Sequence, residues 1–333
     1  MPFEAQKSIS RNLVLSAKKQ TTYGTVIADA DLTHRVRFDP SSFEKVAKTF
    51  RSDFSRAGKG HPFTTERLEV QRGRGFSFNQ ELTDWLAGWF WAFALGASAD
   101  SGPGPYTHVF TPDLSTNIAP VTTAYFEETA DIKYKVQDLA INSLKMSGGA
   151  IGTVMCSADL VGSGRHLDGA IVAGVPALPT NVYLMGNQSD IQIGAPGSTA
   201  SIKERVKSWE VDWSQNVIPH YAPGGGLYAS FTERGLPTMK FMATVMAKDT
   251  DDIRTLLLND TEQEVKIILN NGAAAQMTID FPSIYLSAAV KNADGDKVVW
   301  QIESDEQAIR KSGVNQPIQV TVINSVAAYL GAG

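Results

Sequence analysis

Residues 75–96 read GFSFNQELTDWLAGWFWAFALG, a short strand-like segment followed by a mainly apolar run. Asn79 can cap a first helical turn, in which Glu81 and Asp84 suit the positive end of the helix dipole. Gly96 can adopt the left-handed conformation that closes a last turn. The stretch therefore predicts a strand followed at once by a short helix.

Large apolar side chains recur along this predicted helix at the three- and four-residue spacing of one helical face. The apolar part is about 14 residues long, below the roughly 20 that a membrane-spanning helix needs. We therefore predict a helix that fills the core of a β domain or lies at a subunit interface. Its packing face would consist of Leu82, Trp85, Leu86, Trp89 and Phe93.

The order of strand, helix, extended segment and strand pair occurs twice along the chain. The two strand pairs turn at Gly148-Gly149 and around Asp294-Gly295, which are hairpin signals because such turns need positive φ. Asp138 can be laid over Asp280 when the two pairs are aligned. This order predicts an internal duplication; the alternative is that two halves of a β-rich chain resemble each other by chance.

Composition favours a folded chain that does not bind nucleic acid. Of the 333 residues, 43% are hydrophobic and 20% charged, as is ordinary for a globular protein, and the net charge of −5 provides no concentrated basic face. Cys156 is the only cysteine, which excludes an intrachain disulfide and a thiolate metal cluster. We see no secretory signal and no membrane-spanning stretch, and we expect folding in a cytoplasm.

Residues 38–75 are the one notable basic region, with eight lysines or arginines against five acidic residues. A loop of this length inside a compact domain is uncommon unless it has a function, so we expect an arm or lid that meets acidic neighbours. The alternative is a contact with nucleic acid. The basic side chains expected to carry the contact are Lys45, Lys48, Arg51, Arg56, Arg72 and Arg74.

The sequence lacks the patterns of a catalytic, metal or cofactor site. Its five histidines are scattered, and His166 with Asp168 is the single near pair. Gly224-Gly225-Gly226 is followed by no Lys-Ser or Lys-Thr, so it is not a phosphate-binding loop. We therefore predict a protein that is not an enzyme and holds no metal and no cofactor.

Several motifs in order along the chain resemble the major tail tube proteins of long, non-contractile-tailed (siphovirus-type) bacteriophages. Besides the tryptophan-rich helix, the resemblance lies in KQTTYGT (19–25), YTHVFTP (106–112), INSLKMS (141–147) with IGTVMCSADLVG (151–162), and VKSWEV (206–211). Residues 38–75 match nothing in this pattern.

The resemblance implies a mainly β fold with short helices: two tandem β-sandwich or half-barrel domains, each flanked by one helix. The boundaries would be 1–165 and 180–333, with 166–179 as the connection. Inner strands of neighbouring subunits would join into a closed sheet, and rings of six domains would stack into a hollow tube. With a duplicated chain the ring is a trimer with pseudo-sixfold symmetry; otherwise it is a hexamer.

The resemblance also implies partners and a location. The chain would assemble with itself and with tape measure, tail-tip and tail terminator proteins, in the host cytoplasm, into the tail of the virion. DNA would pass through the lumen without specific binding, so lumen-facing carboxylates are expected, with Asp138 and Asp280 as candidates. Alternatives are a tail terminator or secretion-system ring protein on the same fold, or a carbohydrate-binding β-sandwich with Trp209 and Trp213 as its platform.

Overall fold

Alternating apolar and polar residues give the chain mainly antiparallel strands, which confirms the predicted fold class. The computed structural model describes residues 12–36, 44–51, 67–180, 182–224, 226–247, 255, 261–294, 297–305 and 316–333. The elements up to residue 168 are β1 (Asn12–Leu15), β2 (His34–Val36), β3 (Glu44–Arg51), β4 (Arg67–Glu81), α1 (Asp84–Leu95), β5 (Gly96–Ser101), β6 (Tyr106–Pro112), β7 (Thr122–Glu127), β8 (Lys133–Gly149), β9 (Met155–Gly162) and β10 (His166–Asp168). The later strands are β11 (Ser189–Ala195), β12 (Ser198–Ser201), β13 (Val206–Ser214), β14 (Ile218–His220), β15 (Phe231–Glu233), β16 (Thr238–Met246), β17 (Gln263–Asn270), β18 (Gln276–Ile284), β19 (Leu286–Asp294), β20 (Lys297–Ser304) and β21 (Gln319–Asn324).

The larger sheet has twelve strands, and eight of them form one continuous antiparallel run in the order β3-β4-β9-β8-β13-β16-β20-β19. The first part of β8 leaves this run and pairs with β7 and β10, and β7 leads on to β1 and β2. We call the eight-strand run the wall sheet.

The second sheet has seven strands in the order β12-β11-β17-β18-β21-β6-β5. Both sheets contain strands from both halves of the chain, because β13 pairs with β8 and β21 pairs with β6. The two predicted domains therefore share their sheets, and the boundary at 166–179 stays a prediction.

Seven strand pairings of the first half recur in the second half in the same chain order. The pairs β1·β2, β1·β7, β7·β8, β8·β10, β3·β4, β4·β9 and β8·β9 correspond to β11·β12, β11·β17, β17·β18, β18·β21, β13·β16, β16·β20 and β19·β20. The long strand β8 thus corresponds to β18 and β19 taken together.

Two register irregularities also recur and fix how the halves align. The shift between Ile141 and Ser143 in β8·β9 has its counterpart between Leu286 and Ala288 in β19·β20. The shift in β7·β8 likewise has its counterpart in β17·β18. In this alignment Asp138 corresponds to Ser283, which corrects the predicted match between Asp138 and Asp280.

Helix α1 lies in the core, and all twelve of its residues are buried. It packs against β8 on one side and against β5, β6, β18 and β21 on the other. Gly96 closes the helix with φ +90°, as predicted, but the cap at its start is Thr83, whose hydroxyl accepts from the Leu86 N–H at 3.3 Å. Asn79 is not the cap because β4 continues through Glu81.

The described parts of the basic region predicted as an arm are two paired strands rather than an irregular loop. Residues 44–51 pair with residues 67–75, and β4 then runs on into the wall sheet. Lys45, Lys48 and Arg51 therefore belong to β3, and Arg72 and Arg74 to β4. Arg56 lies outside the described residues.

Candidate assembly surface

One face of the wall sheet packs on the core and the other is open to solvent. In β13 the buried residues Trp209, Val211 and Trp213 alternate with the partly exposed Glu210 and Asp212, which is the pattern of a half-buried strand. Residues paired directly across strands share a face, so the alternation extends across the sheet. One row on the open face consists of Glu81, Met155, Ser147, Glu210, Met242 and Glu303.

The open face is acidic. Two ion pairs cross it, Lys145 with Glu210 and Lys240 with Glu303, each with a nitrogen–oxygen distance of 2.7 Å. The described side chains on this face also include three further carboxylates, so negative charge is in excess and phosphate binding is disfavoured. These three are Glu81, Asp159 and Asp212.

The wall sheet ends in two open strands. Among the described residues, β3 pairs only with β4 and β19 pairs only with β20. The outer edge of each strand therefore presents backbone N–H and C=O groups that another strand can pair with.

The hairpin of β3 and β4 projects past the end of the wall sheet. Strand β9 accompanies β4 only over residues 74–81, whereas β3 accompanies it from Arg67 to Gly75. Residues 67–73 thus extend beyond the neighbouring strand by about 23 Å, at about 3.3 Å per residue. Of the basic residues predicted for the arm, Lys48 and Arg51 on β3 and Arg72 on β4 lie on this projection, whereas Lys45 and Arg74 pair with each other where β9 still accompanies β4.

The five helix-face residues predicted for the core or an interface are all buried within the single chain. Trp89 Nε1 donates to the Ser16 carbonyl at 2.9 Å, and Trp85 stacks on His34 with ring centroids 4.2 Å apart. Burial lowers the pKa of His34 to about 4. The Tyr329 hydroxyl donates to the Trp85 carbonyl at 3.1 Å and ties the C-terminal segment to the helix.

Asp138 lies at the point where β8 bends from one set of partners to the other, with φ +59°. Its fully buried carboxylate accepts hydrogen bonds from Gln20 Nε2 at 3.0 Å, from the Gly24 N–H at 2.6 Å and from the Ser163 hydroxyl. Arg165 approaches it at 4.0 Å. This corrects the expectation of a lumen-facing side chain, because a carboxylate enclosed by its own chain cannot repel phosphates in a channel.

Asp280 lies on β18 of the seven-stranded sheet and not on the wall sheet. Its side chain is 24% exposed and 3.9 Å from Lys266. Burial, with a smaller contribution from Glu264, raises the pKa of Asp280 to about 6, although Lys266 acts in the opposite direction. Its position in the lumen stays a prediction.

Other sites considered from the sequence find little support. Trp209 and Trp213 are each 2% exposed, so they cannot form a sugar platform. His166 and Asp168 lie 3.9 Å apart in the outer strand β10. Burial raises the pKa of the Cys156 thiol well above its usual value. In the part of the chain that the structure describes, no three His, Cys, Asp or Glu residues are grouped to hold a metal.

A family model for phage tail tube proteins matches residues 10–322, nearly the whole chain. The chain belongs to the phage tail tube protein family. This confirms the resemblance seen in the sequence and identifies a structural component of the virion tail. A search of curated proteins found no match.

In this tail tube protein the wall sheet is the candidate assembly surface. Part of that surface can be recognised in the sequence. The alternation in residues 206–214 already separated Glu210 and Asp212 from the buried tryptophans. The contributions of Glu81, Asp159 and Glu303 depend on strand order, which no local pattern reveals.

No helix among the described residues is long and apolar enough to span a membrane.

Proposed function

We propose that the chain polymerises into stacked rings whose joined wall sheets form the tail tube, the conduit through which the genome passes into the host. The observation that carries this proposal is the wall sheet itself, eight antiparallel strands with a core-packed face, an open acidic face and two open edges. Closing such sheets into a ring removes the exposed edges, which are otherwise prone to uncontrolled pairing.

The open acidic face would line the lumen. Carboxylates there repel the DNA phosphates, so that the duplex moves without specific binding. On this proposal Glu210, Asp212, Asp159, Glu81 and Glu303 take the place of Asp138 as lumen residues. The proposal also replaces the predicted lumen position of Asp280, which lies on the seven-stranded sheet and would face the outside of the tube.

We also infer an internal duplication, supported by the seven recurring pairings and the two recurring register shifts. One chain then supplies two of six positions, and a ring is a trimer with pseudo-sixfold symmetry. The projecting hairpin of β3 and β4 would reach the adjacent ring. Tape measure, tail-tip and tail terminator proteins are the expected partners, and assembly is expected in the bacterial cytoplasm.

Negative-stain electron microscopy of the purified protein, over a range of concentration and salt, tests this function, with mass photometry of the smallest species. Stacked hollow tubes are the expected result. Single rings that never stack would favour a terminator or a secretion-system ring protein. A protein that stays monomeric both alone and with the tail-tip proteins that initiate growth would contradict the proposal.

A further inference from the structure

His108 lies on β6 with its side chain fully buried, and each of its ring nitrogens lies within hydrogen-bond distance of an oxygen atom. Nδ1 is 2.7 Å from Oδ1 of Asp100, which pairs with His108 from the neighbouring strand β5. Nε2 is 3.2 Å from Oδ1 of Asn324, at the end of β21. His108 belongs to the segment YTHVFTP (106–112), to which the proposed function assigns no role.

Backbone groups fix the orientation of the Asn324 amide. Its Nδ2 donates to the Asp84 carbonyl at 3.0 Å, and its Oδ1 accepts from the Val326 N–H at 3.0 Å. The carbonyl can only accept and the N–H can only donate, so turning the amide over would set like against like at both contacts. The atom that faces His108 Nε2 is therefore an acceptor.

Both ring nitrogens of His108 must then donate. A neutral imidazole donates from one nitrogen only, and its other nitrogen would turn a lone pair towards either the Asp100 carboxylate or the Asn324 oxygen. Asp100 Oδ1 also accepts from the Ser98 hydroxyl at 2.6 Å, so it acts as an acceptor on both sides. The contacts therefore describe a buried ion pair between a doubly protonated ring and Asp100.

The groups around the ring favour its positive charge. The ring of Tyr329 meets it edge to face with centroids 4.8 Å apart, and the ring of Phe110 stacks on it at 6.0 Å. The titratable groups that face it are Asp100 from β5, Tyr329 from the segment after β21 and, through Asn324, Asp84 from the start of α1. Burial raises the pKa of Asp84 and of Tyr329. All three are acids, so each is either neutral or negative.

Asn324 joins this ion pair to the C-terminal segment, residues 325–333. The Asn324 Nδ2 also donates to the Tyr329 hydroxyl at 2.9 Å, and that hydroxyl donates to the Trp85 carbonyl of α1 at 3.1 Å. A change in the position of the Asn324 amide therefore disturbs the contact between the C-terminal segment and the helix.

Beyond Tyr329, the C-terminal segment is held by backbone hydrogen bonds to residues 17–19. The Leu330 N–H donates to the Ala17 carbonyl and the Lys19 N–H donates to the Gly331 carbonyl, both at 2.9 Å. These two amides report whether the segment is docked, because each loses its acceptor when the segment leaves.

We propose that His108 is doubly protonated in the folded chain and that its second proton is a latch, whose loss releases the C-terminal segment from α1 and from residues 17–19. Either neutral form of the ring turns a lone pair towards an oxygen, and the amide cannot turn over without losing its two backbone contacts. The docked segment keeps a proton that the released segment gives up. The latch is therefore closed at low pH and weakens as pH rises.

Nitrogen-15 NMR of the full chain with labelled histidine tests the charge. At about pH 7 we expect His108 to show two protonated ring nitrogens. His34, whose pKa is lowered to about 4 by burial, supplies a neutral ring for reference. Asp100→Asn identifies the signal, because it keeps an oxygen opposite Nδ1 but removes the negative charge, and the second proton should then be lost at lower pH. If no doubly protonated ring responds to Asp100→Asn, the charge on His108 is overturned.

Hydrogen exchange at Leu330 and Lys19 tests the latch. After correction for the intrinsic exchange rate, opening should rise by up to about tenfold per pH unit, the slope of one released proton. Asp100→Asn should open several-fold more than the unmodified chain at neutral pH. Ser98→Ala is the matched control, since it removes the other hydrogen bond to the same oxygen without changing the charge, and it should behave like the unmodified chain.

Two results would overturn the latch even where NMR confirms the charge. One is exchange at Leu330 and Lys19 that is independent of pH after the correction, and the other is an equal effect of Asp100→Asn and Ser98→Ala. His108→Gln, which carries no titrating proton, should remove the pH dependence; if it does not fold, Asp100→Asn carries the test alone. Neither measurement depends on tube formation, so failure here leaves the proposed function standing.

Discussion

The two halves of the chain share their strand pairings but finish one hairpin differently. In the first half, β3 and β4 project beyond the wall sheet by about 23 Å. In the second half, β13 and β16 stop at the sheet end, where Ser214 pairs with Thr238, and their connection folds into the small sheet of β14 and β15. That small sheet bonds to the first half through Ile118 and Glu233.

This difference gives each half a separate task at one end of the sheet. The second-half hairpin covers a small apolar cluster formed by Ala119, Val121, Ala140 and Val217. Among the described residues, the part of the first-half hairpin at residues 67–73 pairs only with β3. In the trimeric ring proposed above, three projections would alternate with three closed positions, and the pseudo-sixfold symmetry would be broken where rings meet.

Shortening the projecting hairpin should have the largest effect. Joining Lys48 to Gln71, which are paired neighbours, through an Asn-Gly turn removes the outer part of the projection and leaves the wall sheet intact. We expect rings that no longer stack, with tube length in electron micrographs falling to single rings. A matched variant that replaces only residues 52–66 keeps the projecting strands; normal tubes from the shorter variant would refute a role in stacking.

Removing the carboxylate at the bend of β8 should have the next largest effect. Asp138→Ala removes the acceptor of the Gly24 N–H and of the Ser163 hydroxyl, and one of the two acceptors of Gln20 Nε2, which costs about 3 kcal/mol of unfolding free energy. Ser283 holds the corresponding position of the second half, and its hydroxyl donates only to Glu262 Oε1. Ser283→Ala should therefore cost about 1 kcal/mol. Equal losses in urea unfolding would show that the two bends are held alike.

Much of the fold can be predicted from the sequence because the strongest signals are local. The apolar face of α1, the closing Gly96 and the alternation around Trp209 each depend on residues within one turn or strand. The sequence predicts Asn79 as the cap, wrongly, because a capping residue and a strand residue look alike until the end of β4 is known. The sequence predicts a loop for the basic region because the weak periodicity there gives no signal for β3 and the start of β4.

The assembly surface could be predicted only in part because strand order is not a local property. The sequence match of Asp138 with Asp280 depends on two identities, the aspartate itself and the leucine six residues later, whereas the register in the structure follows from bulges at Asn142 and Ser287. A bulge inserts one extra residue into a strand, and that residue can be of a type that is common in any strand. The sequence therefore carries no clear signal for it.

Substituting Gly88, where α1 lies close to Tyr329, should lower the unfolding free energy less than removing the Asp138 carboxylate does. A Cβ atom at Gly88 would lie 2.4 Å from the Tyr329 hydroxyl and 2.5 Å from its Cζ. Gly88→Ala should thus cost about 1–2 kcal/mol, because the clash outweighs the gain in helix propensity. Ala87→Gly in the same helix is the control for propensity alone. If Gly88→Ala raises the melting temperature, the C-terminal segment is not locked against the first-half helix as tightly as its geometry indicates.

The smallest expected effect concerns the equivalent positions 135 and 280, where the two halves carry a lysine and an aspartate. Lys135 in the first half is paired with Asp29, and its counterpart Asp280 has a pKa raised to about 6. Between pH 4 and 6 the folded chain holds a proton on Asp280 that the unfolded chain releases, so this carboxyl lowers stability as pH rises through that window. His34, with a pKa lowered to about 4, acts in the opposite direction because the unfolded chain takes up its proton first.

Asp280→Asn separates the two groups. It should raise the unfolding free energy at pH 7 by about 1–2 kcal/mol and leave it nearly unchanged at pH 4, since Asp280 is already protonated there in the folded chain. Between pH 4 and 6.5 the unfolding free energy of the variant should rise more steeply with pH than that of the unmodified chain. The reason is that His34 still titrates in the variant, whereas the opposing effect of Asp280 is gone. Chemical unfolding at both pH values measures this, with His34→Gln as the converse. An equal gain at pH 4 and pH 7 would show that Asp280 acts through packing, and the contrast with Lys135 would then not be one of charge.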